Sequence, residues 1–404
     1  MKILFVHQNF PGQFLHLAPA LAARGHQVVG LTTETNARPS PVPVLRYRTP
    51  QETKAEGLGK TYAEAAERGA SVARAAVQLT RDKGFVPDVV FGHGGWGETL
   101  FLREVWPRAR HLTYAEFFYH TTGYDTDFDK EFHRGGMAPR LRTSARKTHL
   151  LMALAEADAA LSPTKWQAST FPAEFRDRIS VVHDGIDTDR VCPDPAASLT
   201  LPGGRVLRAG DEVISFVNRN LEPYRGYHVF MRALPEVLAA RPEAQVVIVG
   251  GDGQSYGPSP GQGRSWKQIF LDQVGDRLDQ SRVHFLGQVP YAGFLSLMRV
   301  TRVHAYLTYP FVLSWSMLEA MSAGALVVGS RTAPVEELIR DGENGRLVDF
   351  FDIAGWSRAL IEALADPGAA LPLRAAARKT IVEGYDLKRH CLPRLIDFVE
   401  GAGG

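Results

Sequence analysis

Cysteine is almost missing from this chain: Cys192 and Cys391 are the two in 404 residues. A pair cannot build a disulfide framework, and no cysteine–histidine cluster offers zinc its usual four ligands. A reducing compartment, the cytoplasm, is the expected setting. Excess charge of either sign is missing too. The 46 lysines and arginines nearly balance the 44 aspartates and glutamates, leaving a formal +2. That is too even for a protein whose main work is gripping nucleic-acid backbone, so no nucleic-acid partner is expected. Long apolar runs are absent as well. The run from Ile3 to Val6 is broken by His7 and Gln8, too short for a signal-peptide core. Residues 303–330 hold a single charge, Glu319, but also His304, Pro310, Ser314, Ser316 and Gly324. They read as strand, loop, helix and strand of a buried core, not as the ~20 apolar residues of a membrane span. What remains is ordinary globular composition, 45% hydrophobic and 22% charged, in a chain long enough for roughly two to three domains.

Short β-branched runs alternate with longer helical patterns along nearly the whole chain. Residues 2–7, 27–33, 88–93, 111–115, 159–162 and 179–183 read as strands in the first half, and 212–218, 245–251, 282–286, 303–307 and 326–330 in the second. Several are apolar without alternation, as in Val246-Val247-Ile248-Val249, the pattern of a parallel strand covered on both faces. Strand–helix alternation points to doubly wound α/β sheets, and this many strands is unusual in one sheet. The expectation is two Rossmann-like domains, residues 1–190 and 211–380, facing each other across a cleft. Pro193, Pro195, Pro202, Gly203 and Gly204 mark 191–210 as the linker. Residues 381–404 are expected as a C-terminal helix packing back toward the first domain. Ligands of such sheets sit at the carboxyl ends of the strands, so chemistry is expected in the cleft.

Several motifs compete for that chemistry. Pro11-Gly12-Gln13 follows the first strand, where a helix N-terminus could meet an anion or a plain tight turn could simply close. Gly92-His93-Gly94-Gly95-Trp96-Gly97 matches the dinucleotide fingerprint after a strand, with Glu116 where a ribose-binding acid would sit. It is, however, not the first βα turn of its domain, and Trp96 is bulky where a helix must pack closely. Asp125-Thr126-Asp127 imitates a calcium loop or the Asp-x-Asp of manganese-dependent sugar transferases, but Lys130 and Gly136 stand where a calcium loop needs glycine and glutamate. No metal is expected there. Arg134, Arg140, Arg142, Arg146 and Lys147 lie in a stretch without acidic residues, either a solvated face or a weak contact with an anionic membrane surface. In the second half, Arg219 and Arg225 follow a strand beside a helix start, placed to hold a diphosphate bidentately or to pair with acids such as Glu222. Glu319 is a lone carboxylate in an apolar helix, expensive to bury without a partner: a ligand hydroxyl or a cation at the cleft, or, as the structural alternative, a buried pair with Arg219 or Arg331.

Taken in register, these pieces resemble the family 4 retaining nucleotide-sugar glycosyltransferases of GT-B fold. Gly12 resembles the glycine of the family's first loop. Val182-His183-Asp184-Gly185-Ile186-Asp187 is similar to its turn before the linker, and Arg219 with Arg225-Gly226 to its arginine and lysine-glycine pair. Val249-Gly250-Gly251-Asp252-Gly253 resembles its glycine-aspartate-glycine strand end, Phe285-Leu286-Gly287-Gln288-Val289 its base-reading segment, and Leu318-Glu319-Ala320-Met321-Ser322-Ala323-Gly324 its most diagnostic helix. The resemblance implies that Arg219 and Arg225 bind the donor diphosphate and Glu319 the ribose hydroxyls. Backbone N–H groups near Ser314, Trp315 and Ser316 would hold phosphate oxygens, and Gly12, Gly253, Gln288 and Val289 would complete the donor site. Two guanidinium groups and helix-terminal amides can stabilise the departing diphosphate without a metal, each such donor being worth ~10²–10³ in rate. No metal and no other cofactor are therefore expected.

Two departures qualify the resemblance. Phe311 stands where the family has an acid eight positions before its second glutamate. Near the end of the strand around Tyr114, where a histidine is common in the family, the chain has Glu116, with His120 four positions later. Glu116 and His120 are therefore counted with Arg219 and Arg225 as catalytic candidates, in reach of sugar or acceptor. The expected activity is transfer of a sugar from a UDP- or GDP-linked donor to a carbohydrate, lipid-linked or small-molecule acceptor hydroxyl, with retention. The alternatives are an NAD(P)-dependent oxidoreductase or epimerase using Gly92–Gly97, and a catalytically silent sugar-nucleotide-binding protein. The expected location is the cytoplasm, with possible contact at the inner membrane face through 134–147.

Overall fold

The computed structural model describes residues 1–133, 135–261 and 263–401. The chain divides into two compact units. One comprises Met1–Gly185 with Leu387–Gly404, the other Ile186–Asp386. Among the described residues, no helix is long and apolar enough to cross a membrane.

The first unit is built on a seven-stranded sheet: β1 (Lys2–Val6), β2 (Gln27–Thr33), β3 (Val44–Tyr47), β4 (Val89–His93), β5 (Arg110–Tyr114), β6 (Ala159–Ser162) and β7 (Ile179–Val181). Their order is β3-β2-β1-β4-β5-β6-β7, with the neighbouring pairs parallel. The order reverses between β1 and β4, which makes the crest above them the topological switch point. Ile3, Leu4, Phe5 and Val6 are all fully buried because helices cover both faces, which is why β1 shows no apolar–polar alternation. Helix α1 (Leu17–Ala23) lies on the same face as α6 (Leu392–Glu400), and Leu395 and Val399 enter the core formed by Ile3, Phe5, Phe14 and Phe91. The opposite face is closed by α2 (Lys60–Lys83) through Val72 and Ala76.

The second unit carries a six-stranded parallel sheet: β10 (Val213–Asn220), β11 (Gln245–Gly251), β12 (Val283–Gly287), β13 (Val303–Tyr306), β14 (Leu326–Ser330) and β15 (Arg346–Val348), in the order β12-β11-β10-β13-β14-β15. Here the switch point falls between β10 and β13. Helices α3 (Tyr227–Ala240), α4 (Tyr291–Val300) and α5 (Trp315–Ala323) follow β10, β12 and β13. The segment expected as a linker is instead structured. Residues 191–210 carry an antiparallel hairpin, β8 (Ser198–Thr200) with β9 (Val206–Arg208). Its turn is Leu201-Pro202-Gly203-Gly204, with both glycines at positive φ, so the punctuation read as a linker is turn chemistry. The chain leaves the second unit after Asp386, not at 380.

Candidate functional site

In the second unit the crest between β10 and β13 gathers most of the expected donor-site residues. Beyond β10, Glu222-Pro223-Tyr224-Arg225 makes one 3₁₀ turn that ends at Gly226, whose φ of +68° opens α3. A Cβ at Gly226 would run into Leu307 Cβ, so only glycine brings the turn this close to the end of β13. The turn buries Arg225, which is 5% exposed. Its guanidinium donates to Thr308 Oγ1 (2.7 Å) and to the Val312 carbonyl (2.8 Å). It also sits over the rings of Tyr256 (5.1 Å) and Phe311 (5.5 Å). Phe311, standing where an acid would resemble the family, thus packs as one wall of an aromatic cradle with Tyr224 and Tyr256. Glu222 does not form a salt bridge with either arginine. It is buried and accepts from the backbone N–H groups of Tyr256 and Gly257 (3.2 and 3.1 Å), which pins the glycine-rich loop after β11.

Arg219 is placed differently from its sequence expectation. It lies inside β10, which runs on to Asn220, and is exposed. Its neighbour Asn220 accepts from the Gly253 N–H (3.2 Å) and donates to Ser255 Oγ (2.7 Å), tying the β11 loop to the β10 end. Gln288 is exposed beside Gly251, where an added Cβ would lie 3.4 Å from its Nε2. Val289 is half-buried against the core of this unit. Ser314 caps α5: its Oγ accepts from the Ser316 N–H (3.3 Å), while its own N–H donates to the Tyr306 hydroxyl (2.8 Å). Two of the three amides expected to meet phosphate oxygens are therefore already engaged, that of Ser314 by the Tyr306 hydroxyl and that of Ser316 by the N-cap of its own helix. Trp315 at the helix start is 41% exposed. Glu319, one turn on, accepts from the Tyr291 hydroxyl (2.7 Å), and Arg190 lies over the Tyr291 ring (4.7 Å). Burial pushes the Glu319 carboxyl up to about 7, against the opposing pull of Tyr291 and Arg190. Neither Arg219 nor Arg331 forms a salt bridge with it; Arg331 is drawn to Asp341.

In the first unit the crest between β1 and β4 holds a second cluster. His7, just past β1, accepts from the Asn9 N–H at Nδ1 (2.9 Å), so its Nε2 carries the hydrogen toward Gln13 Oε1 (2.9 Å). Gln13 Nε2 donates in turn to Glu116 Oε1 (3.0 Å). Gly12, at φ +50°, is needed here because a Cβ would lie 2.7 Å from His7 Nε2. At the end of β4, His93 accepts from the Gly95 N–H at Nδ1 (3.1 Å) and turns Nε2 toward Glu116 Oε2 (3.5 Å). Its ring is stacked on Trp96 (4.3 Å). His120 is not part of this group by any described contact. It donates from Nε2 to the Thr170 carbonyl (2.7 Å) and stacks on Tyr124 (4.0 Å), and burial lowers its pKa.

The dinucleotide fingerprint is used for packing. Residues 94–101 form turns, and the short helix after them is Leu102–Val105. A Cβ at Gly97 would strike the Ala65 carbonyl, and one at Gly92 would strike Thr99 Cγ2. These glycines let a helix and a strand approach, and no helix N-terminus stands where a pyrophosphate would need it. Arg134 lies outside the described residues. The rest of the basic stretch forms the helix Met137–Arg146 and runs on to Lys147. Sequence reasoning missed Tyr291, Thr308, Tyr256, Gln13 and the Glu222 clamp. All are distant in sequence from the groups they hold, and no local pattern announces such a partner.

Comparison with known proteins decides the family. A model described as Glycosyl transferase family 4 group matches residues 24–191, and one described as Glycosyl transferases group 1 matches 204–380. The chain belongs to the family 4-type glycosyltransferases. A member from Rhodococcus jostii named D-inositol 3-phosphate glycosyltransferase is 26% identical over 239 residues, 58% of this chain and 51% of its own. Another, the GDP-mannose-dependent alpha-(1-6)-phosphatidylinositol monomannoside mannosyltransferase of Mycolicibacterium smegmatis, is 26% identical over 258 residues, 62% of this chain and 63% of its own. The chain spans about half the length of the first relative and less than two thirds of the second. Sucrose-phosphate synthase from Thermosynechococcus elongatus superposes over 100% of both chains with a TM-score of 0.73 at 17% identity. The shared fold is GT-B, two Rossmann-like parallel-sheet domains.

Proposed function

We propose that the chain moves a sugar from a UDP- or GDP-linked donor to an acceptor hydroxyl, with retained anomeric configuration and without a metal. The observation that carries this reading is the Arg225 guanidinium, buried at the switch point of the second unit and held by Thr308, Val312 and two aromatic faces. A cation fixed before substrate arrives needs no reorganisation as charge develops on a leaving diphosphate. In the transfer, the acceptor oxygen bonds to the anomeric carbon, the bond from that carbon to the diphosphate breaks, and the acceptor's proton leaves with the nucleotide. Exposed Arg219 at the same strand end supplies a second positive charge. Glu319 offers its carboxyl to ribose hydroxyls, and Gly253, Gln288 and Val289 border the base. The relative named GDP-mannose-dependent supports the donor class. In the helix Met137–Arg146, Met137 and Leu141 are exposed beside Arg140, Arg142 and Arg146, which favours weak contact with an anionic membrane face.

Arg225→Ala is expected to lower kcat/KM by about two to three orders of magnitude, with EDTA leaving turnover unchanged. Wild-type kinetics in the variant would overturn the assignment. A thermal-shift panel of UDP, GDP, ADP, CMP and dTDP sugars with NAD as a control identifies the donor, since a ligand at 100 times its Kd stabilises by ~2.7 kcal/mol. Slow hydrolysis of that donor without acceptor argues against a silent binding protein.

A further inference from the structure

The cluster at the first unit's switch point is built to present one carboxylate. Glu116 stands just beyond β5, and its backbone carbonyl accepts from Gln167 Nε2 (2.7 Å). Two N–H groups approach its carboxylate from different elements, Gln13 in the 3₁₀ turn after β1 on Oε1 and His93 at the end of β4 on Oε2. Both imidazoles accept a backbone N–H at Nδ1, which fixes the neutral ring as the Nε2–H tautomer. His93 is 2% exposed, and its Nε2 lacks a hydrogen bond within 3.5 Å. A buried donor left so loosely satisfied, aimed at a carboxylate in a ligand crevice, is costly unless a ligand draws the pair together. Around it are ring faces: Trp96 on one side of His93 and Tyr114 at 5.5 Å. The Arg68 guanidinium does not face the carboxylate as a partner; it donates to the Trp96 carbonyl (2.8 Å).

We propose that Glu116 is the hydroxyl-accepting carboxylate of an acceptor subsite selective for a polyol that carries no phosphate, with His93 and the His7–Gln13 pair as its positioning residues. A carboxylate accepts hydrogen bonds and repels phosphate oxygens, and the flanking imidazoles bring donors without adding fixed charge. The half-buried Trp96 ring supplies an apolar face for a sugar or cyclitol ring. The inference rests on the glycosyltransferase reading and narrows its acceptor class.

The test measures acceptor binding to the full chain, saturated with whichever nucleotide diphosphate shifts its melting temperature, by ligand-observed NMR. The probes are myo-inositol, glucose, mannose, galactose and glucosamine, each beside a monophosphorylated counterpart. At least one phosphate-free probe is expected to bind better than its phosphorylated partner, and Glu116→Gln to weaken that binding about tenfold or more, since a hydrogen bond to a charged group is worth ~1.5–3 kcal/mol. His93→Gln is expected to weaken it less and leave nucleotide affinity intact. Should His93→Gln fail to fold, Glu116→Gln carries the test alone, because that side chain is partly exposed. Tighter binding of the phosphorylated partners, no probe bound, or unchanged binding in Glu116→Gln would each overturn the proposal. Loss of nucleotide binding altogether would instead count against the transferase reading, and the two failures are read from separate signals.

Discussion

At the residue scale, Glu319 has the most to lose from its surroundings. Its carboxyl is pushed up to about 7 by burial, while an unfolded chain leaves a glutamate near its ordinary value. A raised folded pKa means that stability is fully present below the unfolded value and is lost as pH rises through the folded one. The difference in melting temperature between Glu319→Gln and wild type is therefore expected to grow from about pH 4.5 to about pH 7 and then level off; melts in matched buffers read it directly. A flat difference would show that the carboxyl titrates normally. Tyr291→Phe removes the one hydroxyl that opposes this shift. Its expected signature is a donor KM raised roughly five- to tenfold, the worth of ~1–1.5 kcal/mol, with kcat little changed. Glu319 was legible in the sequence because a single charge among apolar neighbours demands an explanation. Tyr291 was not, since nothing at that position points to a partner in another helix.

Elements explain most of what the sequence disclosed and what it hid. Central strands such as β1, β11 and β14 announce themselves because both faces are buried and each carries an unbroken apolar run, Ile3–Val6, Val246–Val249 and Leu326–Val328. The edge strands β3, Val44-Leu45-Arg46-Tyr47, and β15, Arg346-Leu347-Val348, carry arginine on an exposed position, the usual protection of an unpaired edge, and so read as loop. Arg219 was placed beyond its strand because the apolar run stops at Val217. The register shift between Val217 and Asn220 shows the strand continuing through a local irregularity in which polar residues are tolerated. The turn that seats Arg225 depends on Gly226. Gly226→Ala combines a left-handed backbone position with a collision at Leu307, and about 2–4 kcal/mol of destabilisation is expected, read as a lowered denaturation midpoint. Ser314→Ala removes the cap of α5, with ~1 kcal/mol expected. It also frees the Ser316 amide, so a variant whose nucleotide affinity rises while its stability falls would show that cap and ligand compete for one donor.

Over the whole molecule, the chain passes from the first unit to the second at Gly185–Ile186 and returns at Asp386–Leu387. Those two passages are neighbours: the Ile186 N–H donates to the Tyr385 carbonyl (2.8 Å), Ile186 bridges Asp386, and the Thr188 hydroxyl donates to the Asp386 carboxylate. The return segment then completes the first unit, where Arg24 and His26 hold Glu400. Chain ending at residue 386 would expose the apolar face that Leu395 and Val399 cover. Such a truncation is expected to lower the melting temperature of the first unit by several degrees or drive aggregation, visible by calorimetry and light scattering.

In topological terms the second unit is a guest inserted into its host, entering and leaving through one doorway. An apolar core cluster of its own runs from Ile186 to Ile381 with Tyr385 packed against it, and its two ends are already hydrogen-bonded together. A gene fragment encoding 186–386 should therefore yield an autonomous nucleotide receptor, and the host, rejoined by a short glycine–serine bridge, a separate module on which acceptor chemistry can be measured in isolation.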